Sequence, residues 1–225
     1  MAYVFVSPSW FFIYSIILEI FFAIITFILS YYAFKVYKLT DQRQSKLFSA
    51  AFLLISLSYL AQAILNLVIL EQLADRVVSI INLQNVFLLN LFGLYAHALL
   101  FIMGLLVLAY LTLRLENINA LFLGIAVIIV SIYMASNKTV LFYLLSTILL
   151  VSIVINYFMI YAKSRNTNTL LVLLSMIFLL FGTLHFLFAL NNSLYYVIGH
   201  VLEFIAYLIM LVNLLVILNN GKKKR

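Results

Sequence analysis

From Ser193 to Leu218 the chain reads SLYYVIGHVLEFIAYLIMLVNLLVIL, about 26 nearly unbroken apolar residues, enough to cross the roughly 30 Å hydrocarbon core of a bilayer as one helix. A backbone in hydrocarbon must satisfy its own N–H and C=O groups, so a continuous run of this kind folds as a helix. Such runs recur along the chain. They place spans at about 10–36, 47–70, 86–113, 118–134, 140–162, 170–190 and 193–218, of which the fourth lies at the lower length limit for crossing. The sequence thus predicts an all-α fold, a polytopic membrane protein forming one seven-transmembrane-helix domain over 1–225.

Composition agrees. Of 225 residues 68% are hydrophobic and 8% charged, where ordinary globular chains carry about 25% charged residues. There are no cysteines, which excludes disulfides, thiolate metal sites and cysteine nucleophiles. The net charge of +7 reads as positive-inside loops rather than nucleic-acid binding. With the N-terminus outside, the inner side receives Lys35, Lys38, Arg43, Lys46, Arg114, Lys163 and Arg165, together with the tail Lys222, Lys223, Lys224 and Arg225. The outer side keeps only Arg76 and Lys138. That asymmetry predicts a cytoplasmic C-terminus in a multi-pass plasma-membrane protein, with the KKKR tail against anionic inner-leaflet lipid. Trp10 and Tyr14 at one end of the first span, and Tyr31, Tyr32 and Tyr37 at the other, suit interfacial belts. The start, MAYVFVSPSW, lacks a basic n-region and a small-residue cleavage pattern, so the first run is expected to be a retained span. The bias toward Ile, Leu, Asn, Lys and Phe suggests an AT-rich prokaryotic genome.

One outer connection, EQLADRVVSIINLQN after Leu70, is longer than the rest. Leu70, Leu73, Val77, Ile80 and Ile81 recur at helical spacing, which predicts a short amphipathic helix lying in the interface.

The polar residues within the spans carry the functional information. In the last span Tyr196, His200, Glu203 and Tyr207 fall within about 60° of one another on a helix, and an imidazole beside a carboxyl does not face lipid. Counting 1.5 Å per residue from the outer end of each span puts His185 roughly 8 Å deep, His200 roughly 10 Å and Gln62 roughly 12 Å. Glu19 comes at roughly 13 Å, Glu203 at roughly 15 Å and His97 at roughly 16 Å on the same count. All lie between the outer interface and the midplane. Glu19 shares a stripe with Ser15, Thr26 and Ser30; Gln62 with Ser58 and Asn66; His97 with Asn90, Gly93 and Gly104. Amides in spans most often hydrogen-bond between helices, the ordinary reading of Gln62, Asn66, Asn90 and Asn156; Gln62 is also carried in the pocket set. Intramembrane ionisable residues mark function by default. The expectation is one site built from Glu19, His97, His185, His200 and Glu203, with Gln62, Tyr196 and Tyr207 around it. The third helix would then pass through the middle of the bundle, bringing His97 toward the first and seventh helices.

Microbial rhodopsins resemble this topology but need a lysine in the last helix; none precedes Lys222 here, so no retinal is expected. Sugar transporters of three plus one plus three helices carry Pro-Gln signatures, and the only proline is Pro8. Ceramidase-like membrane hydrolases use a last-helix His-x-x-x-His, where this chain has His200, Glu203 and Phe204. The stretch GHVLEFIAYLIML, a Gly-His opening an apolar span with a polar residue soon after, resembles the final helix of prokaryotic seven-helix membrane sensor domains. That resemblance covers one helix and implies a sensor or receptor-like module with a small-molecule ligand in an outer-half pocket, its signalling partner unspecified. Three alternatives stand beside it. One is a zinc-dependent intramembrane hydrolase with His97, His185, His200 and Glu203 as metal ligands. The others are a b-type haem protein with two axial His and a proton-coupled carrier using Glu19 and Glu203.

Overall fold

A computed structural model describes the backbone of residues 8–74, 80–115, 117–189 and 192–223, and their side chains except at 72–74, 80–91, 94 and 220–223. Among the described residues the chain is helical throughout, with no strand. The helices are α1 (Phe12–Thr40), α2 (Arg43–Ala74), α3 (Ile80–Thr112), α4 (Ile118–Met134), α5 (Lys138–Ser164), α6 (Thr167–Phe188) and α7 (Leu194–Lys223). Six are long and apolar enough to cross a membrane, and α4, with 17 residues, is a shorter apolar helix. The chain is a multi-pass membrane protein.

Sequence explains where several helices start. Asn117, Asn137 and Asn166 cap α4, α5 and α6, each side chain accepting a backbone N–H of the first turn, and Asn192 accepts from Leu194 N at 3.0 Å ahead of α7. Asparagine suits this place because its short amide satisfies an N–H that has no intrahelical partner. α1 ends where Asp41 turns left-handed (φ 52°), its N–H bonding Tyr37 O, and α5 ends the same way at Arg165 (φ 47°).

The helices are arranged as a ring. α1 packs on α2, α2 on α3, α3 on α5, α5 on α6, α6 on α7, and α7 returns to α1; α4 lies outside the ring against α3 and α5. Small residues set the tightest seams. Between α1 and α2, the Ser30 hydroxyl donates to Ser49 O (2.8 Å), Ser49 returns a bond to Ser30 O (2.9 Å), and Ser56 donates to Ala23 O (2.8 Å). Between α6 and α7 a Cβ on Gly199 would sit 2.7 Å from the Phe186 ring, and one on Gly182 would sit 3.1 Å from Gly199 O. The two glycines let these helices meet backbone to backbone.

Two expectations change. α3 does not run through the middle: it is a ring member between α2 and α5, with no backbone packing on α1 or α7 among the described residues. Gly93 and Gly104 account for this, because both face α2, against Leu65 and against Ile55 and Ala51 O. The outer connection is also shorter than the amphipathic-helix reading required. Glu71–Ala74 continues α2 and residues 80–85 already belong to α3. Asp75, Arg76 and Val77 lie outside the described residues, as does the side chain of Asn90.

Candidate functional site

A ring of helices leaves a centre, and here the centre is polar. A cavity of about 70 Å³ lies between the N-terminal parts of α1 and α7, with α2, α3, α5 and α6 completing its wall. Glu19, His97, His200 and Glu203 all line it, along with Gln62 and Tyr196. Glu19, His200 and Glu203 are buried, at 3, 5 and 5% exposure. No lysine or arginine is among the lining residues.

Each acid is held by a neighbour on α2. Asn66 Nδ2 donates to both carboxyl oxygens of Glu19 at 3.0 Å. Tyr59 donates its hydroxyl to Glu203 Oε1 at 3.2 Å, and Tyr207 donates to the Tyr59 hydroxyl at 3.1 Å, a chain of hydroxyls ending on the carboxyl. Tyr59, Gln62 and Asn66 follow one another at helical spacing, so α2 turns a single polar stripe toward the two acids. Gln62 Oε1 is buried without a hydrogen-bond partner, which leaves one acceptor at the cavity wall to be satisfied.

The imidazoles are oriented by backbone. His97 Nδ1 lies 3.2 Å from Ser58 O, and His200 Nδ1 lies 3.2 Å from Tyr196 O. A carbonyl only accepts, so Nδ1 carries the proton in both rings and Nε2 is left as the remaining polar atom. Aromatic rings fill the space around them. Phe101 stacks on His97 (5.6 Å, 24°) and Phe142 meets it edge-on (5.4 Å, 68°). Phe186 and Phe11 meet His200 edge-on at 4.9 and 5.6 Å, and Tyr196 lies 4.4 Å from it. Gly199 is what admits Phe186 to this position.

His185 does not join the others. It is part-exposed on α6, with Nδ1 2.7 Å from Phe181 O and its ring 5.9 Å from Tyr195. On the same helix Thr183 and Phe186 face the cavity, and a residue one step from Phe186 is rotated by about 100°. The depth expected for His185 is compatible with its place beside the start of α7; its direction is not the one expected. Tyr207 supports the cavity from behind through Tyr59 rather than lining it. His97 takes its nearest polar partner from Ser58 on α2, not from Glu19 or Glu203. Asn156, expected to bond between helices, donates instead to Ser152 O in its own helix (2.8 Å), away from this cavity.

Among the described residues no three His, Cys, Asp or Glu side chains are grouped to hold a metal ion. The zinc set of His97, His185, His200 and Glu203 therefore does not assemble, with His185 on another face. The haem reading meets a volume limit: ligand pockets for drug-sized molecules run to about 300–1,000 Å³, and this cavity has about 70 Å³.

Tyr59, Asn66, Phe101, Phe142, Tyr143, Thr183 and Phe186 complete the cavity and its bonding, and sequence reasoning passed over them as site residues. A signal existed for Tyr59, a hydroxyl-bearing ring three residues before Gln62 on the same stripe. None existed for the phenylalanines, which look like any other core residue in a span. No family model matches the chain, and no curated protein or solved structure matches it either.

Proposed function

We propose that this protein is a seven-helix sensor or receptor-like module of the plasma membrane, with its N-terminus outside and its KKKR tail in the cytoplasm. The ring-centre cavity, in the outer half on that orientation, takes a small polar ligand. One observation supports the reading above the others: two carboxyls and two imidazoles from α1, α3 and α7 line a single space with no lysine or arginine among the lining residues. Buried ionisable groups cost more than apolar residues of the same volume, so packing alone does not account for them. Size restricts the ligand. A cavity of about 70 Å³ is under half the roughly 150 Å³ of an engineered cavity that admits benzene. The site suits a ligand of a few heavy atoms, or ordered water that such a ligand displaces. A proton-coupled carrier draws on the same Glu19 and Glu203 and differs in that the bound species crosses the membrane.

The test is thermal melting of the detergent-purified protein against millimolar panels of inorganic cations, small amines and small carboxylic acids. A ligand that binds only the folded state raises the melting temperature by mass action. The expected result is a rise of at least 2 °C with one class, lost in Glu203→Gln and retained in His185→Gln, whose side chain lies outside the cavity. A panel without effect, or a rise that survives Glu203→Gln, overturns the proposal. Accumulation of the active compound inside proteoliposomes replaces the sensor with the carrier.

A further inference from the structure

A larger space lies where α3 and α5 stop. These helices run parallel: the Lys138 ammonium sits over the Tyr95 ring near their starts, and Phe142 meets His97 and then Phe101 further along. Between their C-terminal ends is a cavity of about 500 Å³, lined by Leu113, Arg114, Met159, Ile160 and Lys163 among others. Arg114 and Lys163 are its charged residues, and no acidic side chain lines it. Both are exposed, and neither has an ion-pair or hydrogen-bond partner among the described residues, outside which Glu116 lies. Counting from the Tyr95–Lys138 contact puts Arg114 level with Tyr157, about 9 Å inside Lys163 along the helix axis. Two long, flexible cationic side chains close that gap, Arg114 extending toward the helix ends and Lys163 standing at them.

Charge and polarity together describe the occupant. Each helix C-terminus carries about half a negative charge, so two cations at two such ends leave about one net positive charge. That matches a monoanion, and arginine and lysine both hold phosphate oxygens through charge-assisted hydrogen bonds. Toward the bilayer centre the surface turns apolar. Met159, Ile155 and Val151 follow one another at steps of four on α5, at 48, 53 and 39% exposure, an open stripe on one face of the helix. A basic pocket between spans, at the level where they leave hydrocarbon, suits an anionic lipid headgroup. We propose that this cavity binds a monoanionic phospholipid, its phosphodiester held between Arg114 and Lys163 and an acyl chain laid along Met159, Ile155 and Val151. The lipid is a different occupant from the ligand of the ring-centre cavity, and the site does not depend on that reading.

The test is native mass spectrometry of the detergent-purified full chain, titrated with phosphatidylglycerol and phosphatidylcholine of matched acyl chains. The first phosphatidylglycerol is expected to bind about tenfold tighter than the first phosphatidylcholine. Arg114→Gln and Lys163→Gln should each cut that preference about threefold, and the double variant should remove it while leaving phosphatidylcholine binding unchanged. Should the double variant not run as a single species on size exclusion, the two single variants decide. Neutralising the tail with Lys222→Gln, Lys223→Gln and Lys224→Gln should keep the preference. Deacylated glycerophosphoglycerol in tenfold excess should not displace the lipid, because it lacks the chain. The proposal is overturned if the wild type binds the two lipids alike, if both single variants or the double variant keep the full preference, if the tail variant loses it, or if the deacylated headgroup displaces the lipid.

Discussion

Asn66 shows how a residue read as packing becomes part of a site. In a span an asparagine ordinarily bonds across to another helix. Asn66 does so, and its partner is both oxygens of the Glu19 carboxyl. Replacing it leaves a 3%-exposed acid without its donor. Asn66→Leu is therefore expected to cost about 1–3 kcal/mol, read as a lower melting temperature in detergent. The double variant Glu19→Leu with Asn66→Leu should recover part of the loss, because the acid left unbonded by the single change is then gone. Glu203→Gln differs in kind. The amide has nearly the same shape and its oxygen still accepts from Tyr59, so the purified variant is expected to elute and melt close to wild type while losing ligand stabilisation. Collapse in detergent would assign Glu203 to structure alone.

At the scale of helices, the α6–α7 seam decides whether the site exists. Gly199 gives up its side chain to the Phe186 ring, and Phe186 in turn walls His200. A methyl at Gly199 would lie 2.7–2.9 Å from ring carbons, a distance that forces the ring or the helix to move. Gly199→Ala is expected to destabilise the protein by about 1–3 kcal/mol, the usual cost of overpacking, and to weaken ligand stabilisation in the same melting experiment. Gly124→Ala, where the nearest atoms are the flexible Leu106 methyls at 3.1–3.2 Å, should be nearly neutral, and an equal loss there would remove the argument from close approach. α4, outside the ring, contributes no residue to the cavity lining.

For the whole molecule, orientation is the first expectation to check. Eleven of the thirteen basic residues fall on the tail side of the spans, and the positive-inside rule then puts that side in the cytoplasm. A C-terminal alkaline-phosphatase fusion, active only when exported, should be inactive, and an N-terminal one active; the reverse pattern would invert the bundle and move the cavity to the inner half. How much of this molecule could be read before folding follows from what each quantity depends on. Helix identity, number and length depend on apolar length against bilayer thickness, a local property, so the seven spans and the observed helices differ by a few residues at most ends, with longer helical extensions at α2, α3 and α7. Depth along each span is additive at about 1.5 Å per residue, so Glu19, His97, His200 and Glu203 could be placed in one slab by counting. Azimuth is not additive. Which side of α6 faces inward depends on Gly182 and Gly199 meeting, which turns Thr183 and Phe186 to the cavity and His185 away. The place of α3 in the ring, the bond from Asn66 to Glu19 and the aromatic walls likewise arise from side chains of different helices interlocking. The chain by itself fixed which residues would share a depth; only the packing of six helices around a centre decided which of them would face one another, because that choice minimises voids and unsatisfied polar groups over the whole bundle at once.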